Sequence, residues 1–373
     1  MKNTWKTGKP FRFLPLALLL LLCLMQMHAF AGTVKPSGKK NNTDRTRIMN
    51  ELKKTGSVTL VKNGKYYLKS TLYVQNGWTI NANGATITCK AGAVRNKASV
   101  TGYSSLKNFT INGGTWVSSS SAGYKNSSFQ FVHASNVTLN GLTIKCTNYK
   151  GHAIELIACR NCTVKKCTIT PKGSCASTCL EEMIQIDVAA PATAPVLKGT
   201  SLLNGAACEN IYILNNTVTG ARAVGANYAK KDGGNYLNSF HRNIVVKNNK
   251  LTGKTSEALA LFNVGGGTVS GNTIICRSAR TTTAYSIGCH AAIFGTAPSW
   301  MKSTRLYITG NTIKGGRQAV QVYSHTSSRF GYVTVTGNKL YCRKGAENAL
   351  KAVKAQTAGL NAAGNNTYNW NGK

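Results

Sequence analysis

The sequence predicts an all-β chain: one parallel β-helix, a solenoid of about ten coils, with a short helix capping its N-terminal end. Three observations carry that reading. A nine-residue unit led by asparagine returns at Asn136, Asn161, Asn210 and Asn243, and its Gly-Asn corner returns at residues 271–272, 310–311 and 337–338. A further short strand precedes each unit, at residues 129–132, 153–156, 184–187, 223–226, 258–261, 291–294, 319–322 and 349–352. These strands start 24 to 39 residues apart. Three strands per unit suit the coil of a β-helix, whereas a propeller blade needs four. Finally, 42% of the chain is hydrophobic and only 15% is charged, which excludes disorder. The 37 glycines follow no three-residue period, which excludes collagen.

Taken in order, residues 1–31 read as a signal peptide. Lys2, Lys6, Lys9 and Arg12 form a positive start, Leu14 to Met25 is apolar, and Ala29 and Ala31 frame a small-x-small cleavage site. Residues 32–43 read as a linker and 44–370 as one domain. Asp44 to Thr55 predicts the capping helix, with Ile48, Met49 and Leu52 on one face and Gly56 as its stop. Residues 57–116 supply about three irregular coils. The asparagine-led units follow, and Asn and Gly suit their corners because both tolerate positive φ.

The pattern Val58, Leu60, Tyr66, Leu72, Ile80 and Ile87 behind a short helix resembles the pectate-lyase-like superfamily. The asparagine-led units resemble its right-handed parallel β-helix repeats. Segments 151–156, 182–187 and 222–227 also resemble a secreted bacterial subgroup of such proteins. The resemblance covers nearly all of the chain after residue 31. It implies right-handed coils and a fold that hosts lyases, hydrolases, esterases and adhesins, so it specifies no single activity.

Charge narrows the partners. The chain has 46 Lys and Arg against 10 Asp and Glu, a formal +36, and loss of residues 1–31 leaves +32. Such a surplus favours a polyanion. Export argues against intracellular nucleic acid, and no later stretch is apolar enough to span a membrane. The expectation is a secreted monomer whose partner is an anionic polysaccharide.

Because acids are scarce, their placement matters. Glu155, Glu181, Glu182 and Asp187 fall within 33 residues, on two neighbouring coils. With Ile154, Leu156, Ile184 and Ile186 inward, Glu155, Gln185 and Asp187 should point outward on one face. Arg222 opens the corresponding strand of the next coil. Glu155, Asp187 and Arg222 are the candidate catalytic residues, and Glu155 with Asp187 could hold Ca²⁺, a hard cation that takes oxygen ligands. The alternative is a solvated polar ladder of ion pairs.

Segments 170–183, 188–209 and 227–242 are long for solenoid corners and would wall a groove beside that strip. The last mixes aromatics and bases. Gln185, Tyr228, Lys230, Lys231, Tyr236 and His241 are the candidate substrate-binding residues, since sugars offer apolar ring faces, hydroxyls and, when anionic, partners for cations. His152 and His241 flank the strip as possible acid–base groups.

There are 12 cysteines. Cys159 and Cys162 have zinc-like spacing, but Cys162 takes the inward place of Val137, Ile211 and Ile244, so core thiols are expected. Cys159, Cys208 and His241 precede the asparagine column on successive coils, where a disulfide or metal is conceivable. Cys175 and Cys179 could form a loop disulfide. Two functions remain: a lyase or hydrolase of an anionic polysaccharide, or a non-catalytic polyanion-binding adhesin.

Overall fold

A computed structural model describes residues 31–96, 106–118, 128–146, 151–171, 179–231 and 234–372. The expected signal peptide therefore lies outside the described residues, apart from residue 31. Three sheets of 14, 11 and 10 strands run the length of the solenoid, and every pairing between their strands is parallel. Successive strands pass from one sheet to the next, and each pairs with its counterparts on neighbouring coils. The chain is thus a right-handed parallel β-helix.

Alternation within each strand builds the interior. In the 10-stranded sheet, Phe129, Ile154, Ile184, Val224, Leu259, Cys289 and Val320 stack in one inward file. All seven are fully buried. Burial of each large side chain stabilises the fold by about 1.5–3 kcal/mol. Because every file repeats along one axis, this core is quasi-one-dimensional.

The helix Thr43–Thr55 covers the N-terminal end, with Ile48 and Leu52 buried and Met49 packed against the core. Gly56 ends it at φ 73°, donating its N–H to the Leu52 carbonyl at 2.8 Å. Asp44 anchors it by accepting the Ser37 N–H at 2.7 Å and the Tyr67 N–H at 2.9 Å. The expected linker 32–43 begins differently. Gly32–Val34 is a strand paired with Ser57–Leu60, because it can extend the sheet edge beneath the helix.

The corners carry amide ladders. Asn216, Asn249, Asn272, Asn311, Asn338 and Asn365 form an interior file in which each Oδ1 accepts the backbone N–H of the preceding member. A second file, Asn108, Asn136, Asn161, Asn210 and Asn243, adopts φ between 51° and 59° at the exposed corner. The thiols follow the apolar expectation. Cys162 stacks on Ile211 inside the coil, and burial pushes the Cys89, Cys276 and Cys289 thiols up to about 12. The proposed partner of Cys179, Cys175, lies outside the described residues.

Candidate functional site

On the outer face of the 10-stranded sheet, consecutive coils bring three lines of residues into register. Glu182, Arg222 and Glu257 form the first, each two positions ahead of an inward residue. Gln185, Gly225, Ala260 and His290 form the second. Asp187, Asn227 and Phe262 form the third, one position beyond the inward Ile186, Ala226 and Leu261.

The small residues of the second line make room for the first. A Cβ on Gly225 would come within 2.5 Å of Glu182 Cγ, so only glycine lets Glu182 lie across the strand. There Glu182 Oε1 accepts from Arg222 Nη1. Arg222 Nη2 donates to Glu257 Oε2 at 2.7 Å and to Ser256 Oγ at 3.1 Å, while the guanidinium sits 5.5 Å from the Phe262 ring centroid. Glu257 Oε1 lies 3.1 Å from His290 Nδ1. His152 Nδ1 donates to the Glu182 carbonyl at 2.6 Å. Burial disfavours the charge on Glu257, but Arg222 and His290 outweigh it and hold the carboxyl well below its usual range. Burial likewise opposes the charge on Arg222, which Glu257 and Glu182 stabilise further. Glu257 thus fixes the His290 ring through Nδ1, and among the described residues Nε2 is buried with no hydrogen-bond partner.

Asp187 stands apart from that network. It is 1% exposed, and among the described residues neither carboxyl oxygen receives a well-formed hydrogen bond. Burial pushes its pKa well above the ordinary range, Glu155 and Glu182 add like-charge repulsion, and the nearby Asn227 amide offsets only part. The expected strip is therefore present but buried beneath its loops rather than solvated. Glu155 and Arg222 are only 6% and 7% exposed.

The groove encloses about 660 Å³. Its lining includes Gln185, Asp187, Arg222, Tyr228 and Lys230 from the sequence-based candidates, together with His152. It also includes Glu182, Glu257, Phe262, His290 and Phe294, which had not been singled out as site residues. Loop residues Ala192, Thr193 and Ala229 wall it, as the lengths of segments 188–209 and 227–242 suggested. Tyr228 packs on Phe294 with ring centroids 4.1 Å apart, and Phe294 stacks on His325 at 4.5 Å, giving an aromatic bank. Tyr236 supports that bank from behind, 5.2 Å from Tyr228. Lys230 reaches the Tyr236 ring at 5.2 Å.

Three candidates fall elsewhere. Glu155 accepts from Gln130 Nε2 at 2.7 Å and faces the Arg95 charge, so it acts on Asp187 through its field without lining the groove. Lys231 is exposed, and its backbone closes the turn by donating to the Asn235 carbonyl at 2.7 Å. His241 is fully buried. Its Nδ1 accepts the Cys208 N–H at 3.1 Å and its Nε2 donates to the Asn227 carbonyl at 2.8 Å. Burial pushes it down to about 4, and neither nitrogen is left for a ligand. Cys208 Sγ in turn accepts the Cys159 N–H at 3.2 Å, so this column is a hydrogen-bonded ladder. Nor do Glu155 and Asp187 fit Ca²⁺. One is engaged by Gln130 and the other favours its neutral form, whereas the ion needs six to eight oxygen ligands. Among the described residues, no group of three or more His, Cys, Asp or Glu side chains is arranged to hold a metal.

Fold and site together define a parallel β-helix protein with a carboxyl- and histidine-bearing groove on one sheet face. No protein-family model matches the chain, and no curated protein matches its sequence. Solved structures do resemble it. One structure of PfbA, a surface adhesin of Streptococcus pneumoniae, aligns over 91% of both chains with a TM-score of 0.60 at 14% identity. A second PfbA structure gives 0.55 at 15% identity, over 91% of this chain and 97% of that one. The tailspike protein of Escherichia coli bacteriophage HK620 gives 0.51 at 12% identity, over 87% of this chain and 62% of that one. These are likenesses of fold. No helix among the described residues is long and apolar enough to cross a membrane.

Proposed function

We infer that this chain is a secreted, carbohydrate-acting enzyme that hydrolyses a glycosidic bond in an anionic polysaccharide, working as a monomer. One arrangement carries the reading: Asp187, whose burial raises its pKa, lines the same groove in which Glu182 is ion-paired to Arg222. A carboxyl group whose burial disfavours its charge, set in one groove with a second carboxyl held by an arginine, is a pairing that suits acid–base cleavage of a glycoside. In the proposed step, Asp187 donates its proton to the leaving oxygen as the bond to the anomeric carbon breaks. Water adds to that carbon, and Glu182 accepts the proton that the water loses. Arg222 orients Glu182, and Tyr228, Phe262 and Phe294 offer apolar surface to sugar ring faces. The surplus of basic residues favours an anionic polymer over a neutral one.

A lyase would instead need a base beside a uronate, and His290, which lines the groove, is a residue of that type there. The second reading, a polyanion-binding adhesin, draws support from the whole-length likeness to PfbA. A panel of acidic polysaccharides incubated with the purified protein separates the three. New reducing ends without unsaturated product support hydrolysis, and unsaturated product shows a lyase. Retention without either product favours the adhesin.

A further inference from the structure

A second cavity, of about 430 Å³, opens on the outside of the 14-stranded sheet. The loops that wall the groove also build it, through Gly205–Glu209 and Asn238–Arg242, with Pro298 and Trp300 closing the far side. Its floor is a register line, Arg160, Glu209 and Arg242, which Gly265 continues on the next strand beneath Trp300. At ~4.8 Å per strand, the two arginines are rooted about 10 Å apart.

The line is shaped around one guanidinium. A Cβ on Gly265 would lie 2.3 Å from the Trp300 ring, so glycine is what lets the indole lie on the sheet. Met301, 1% exposed, pins the Ser299–Ser303 turn that carries it. Arg242 stacks on that indole with 3.9 Å between guanidinium and ring centroid, and among the described residues it makes no ion pair. Arg160, by contrast, lies 3.4 Å from Glu209. Stacking fixes the plane of the Arg242 fork while its N–H edge stays open to the cavity, which suits bidentate capture of a planar carboxylate. The remaining lining mixes Ala206, Ala207, Phe240 and Pro298 with Asn238 and Ser239, so a sugar would meet both apolar surface and polar groups.

We propose that this cavity is a second glycan site, which binds a carboxylated sugar of the polymer through Arg242 held on Trp300. The proposal deepens the glycan reading but does not depend on cleavage in the groove. Chain bound here would pass over the same corner loops that wall the groove, so the site would hold polymer against the enzyme.

The test is titration of the full chain with polygalacturonate at moderate salt, in Asp187→Asn so that turnover does not interfere. Arg242→Gln should weaken binding roughly 10-fold or more, the scale of a lost charge-assisted hydrogen-bonded pair. Trp300→Leu should weaken it by a smaller factor, because the arginine remains but loses its platform. Arg305→Gln removes the same charge elsewhere on that sheet, where Arg305 stacks on Tyr332, and should change binding less than twofold. Equal losses for Arg242→Gln and Arg305→Gln would reduce the effect to bulk charge and overturn the site. Undiminished binding in a folded Arg242→Gln would also overturn it. Failure of cleavage in the unmutated protein, with this arginine dependence intact, would overturn only the groove's catalytic reading.

Discussion

Replacing Asp187 with asparagine should make the protein more stable and less active at once. In the unfolded chain an aspartate loses its proton near pH 3.9. The folded protein keeps that proton to higher pH, because burial and the Glu155 and Glu182 charges oppose ionisation. For a group whose folded pKa is raised, stability is full below the unfolded value and is lost as pH rises towards the folded one. The loss is at most about 1.4 kcal/mol per pH unit. Asparagine has nearly the same shape and does not titrate. The Asp187→Asn protein should therefore match the parent near pH 4 and gain on it as pH rises, by at most about 1.4 kcal/mol per pH unit, until the folded-state pKa is passed. Urea unfolding midpoints at several pH values measure the gap. Reducing-end release on the best substrate should meanwhile fall by ~10²-fold or more, the scale of a positioned proton donor. A variant less stable than the parent at pH 7, or a gap independent of pH, would refute the idea that Asp187 is held neutral.

Arg222→Met should destabilise the protein by about 3–5 kcal/mol by leaving Glu182 and Glu257 buried without their counter-ion. Its unfolding midpoint should recover as pH falls towards 4, where those carboxyls can protonate, and a midpoint unchanged at pH 7 would contradict the network. Asn249→Ala should cost on the order of 2–5 kcal/mol in the same assay, since it orphans the Asn216 N–H and the Ile213 carbonyl in the dry interior. The protein should be retained on polygalacturonate and released by added salt, because exposed charges are screened within ~10 Å at 0.1 M. Equal retention on a neutral glucan resin would count against the electrostatic reading.

The sheets were legible because a β-helix writes its period into the chain. The inward files and the corner asparagines at 136, 161, 210 and 243 each answer to one local requirement, burial or positive φ. The groove was only half legible. Asp187 stood out as a rare acid and Arg222 as the base opening the matching strand of the next coil, but Glu257 and His290 sit two and three coils beyond Asp187, where sequence distance hides their convergence. A signal existed. Glu257 stands two residues ahead of Leu259, as Arg222 does before Val224 and Glu182 before Ile184, which spells a column of alternating charge. Gly225 gave no sign of its role, since absence of a side chain matters only once Glu182 is known to lie over it. His241 misled for the opposite reason. Its place after Cys159 and Cys208 marked a backbone-capping ladder, yet a histidine near carboxylates reads as chemistry.

Five of the ten acids, Glu155, Glu181, Glu182, Asp187 and Glu257, gather at or beneath the groove of a chain with a formal charge of +36. An anionic polymer drawn to the basic body would be repelled by a bare carboxylate cluster at the point of contact. The network answers that difficulty. Arg222 offsets Glu182 and Glu257, Lys230 faces the groove, and burial disfavours the charge on Asp187. On the proposed hydrolytic reading, one group's protonation would serve two ends, supplying the acid and admitting the substrate. As pH rises through the Asp187 pKa, kcat should fall because the acid is lost, and KM should rise because a carboxylate returns to the groove. In the Asp187→Asn protein, which cannot ionise there, the affinity for the same polymer should stay level over that range. A parallel rise in both proteins would place the pH-sensitive charge elsewhere and detach substrate admission from Asp187.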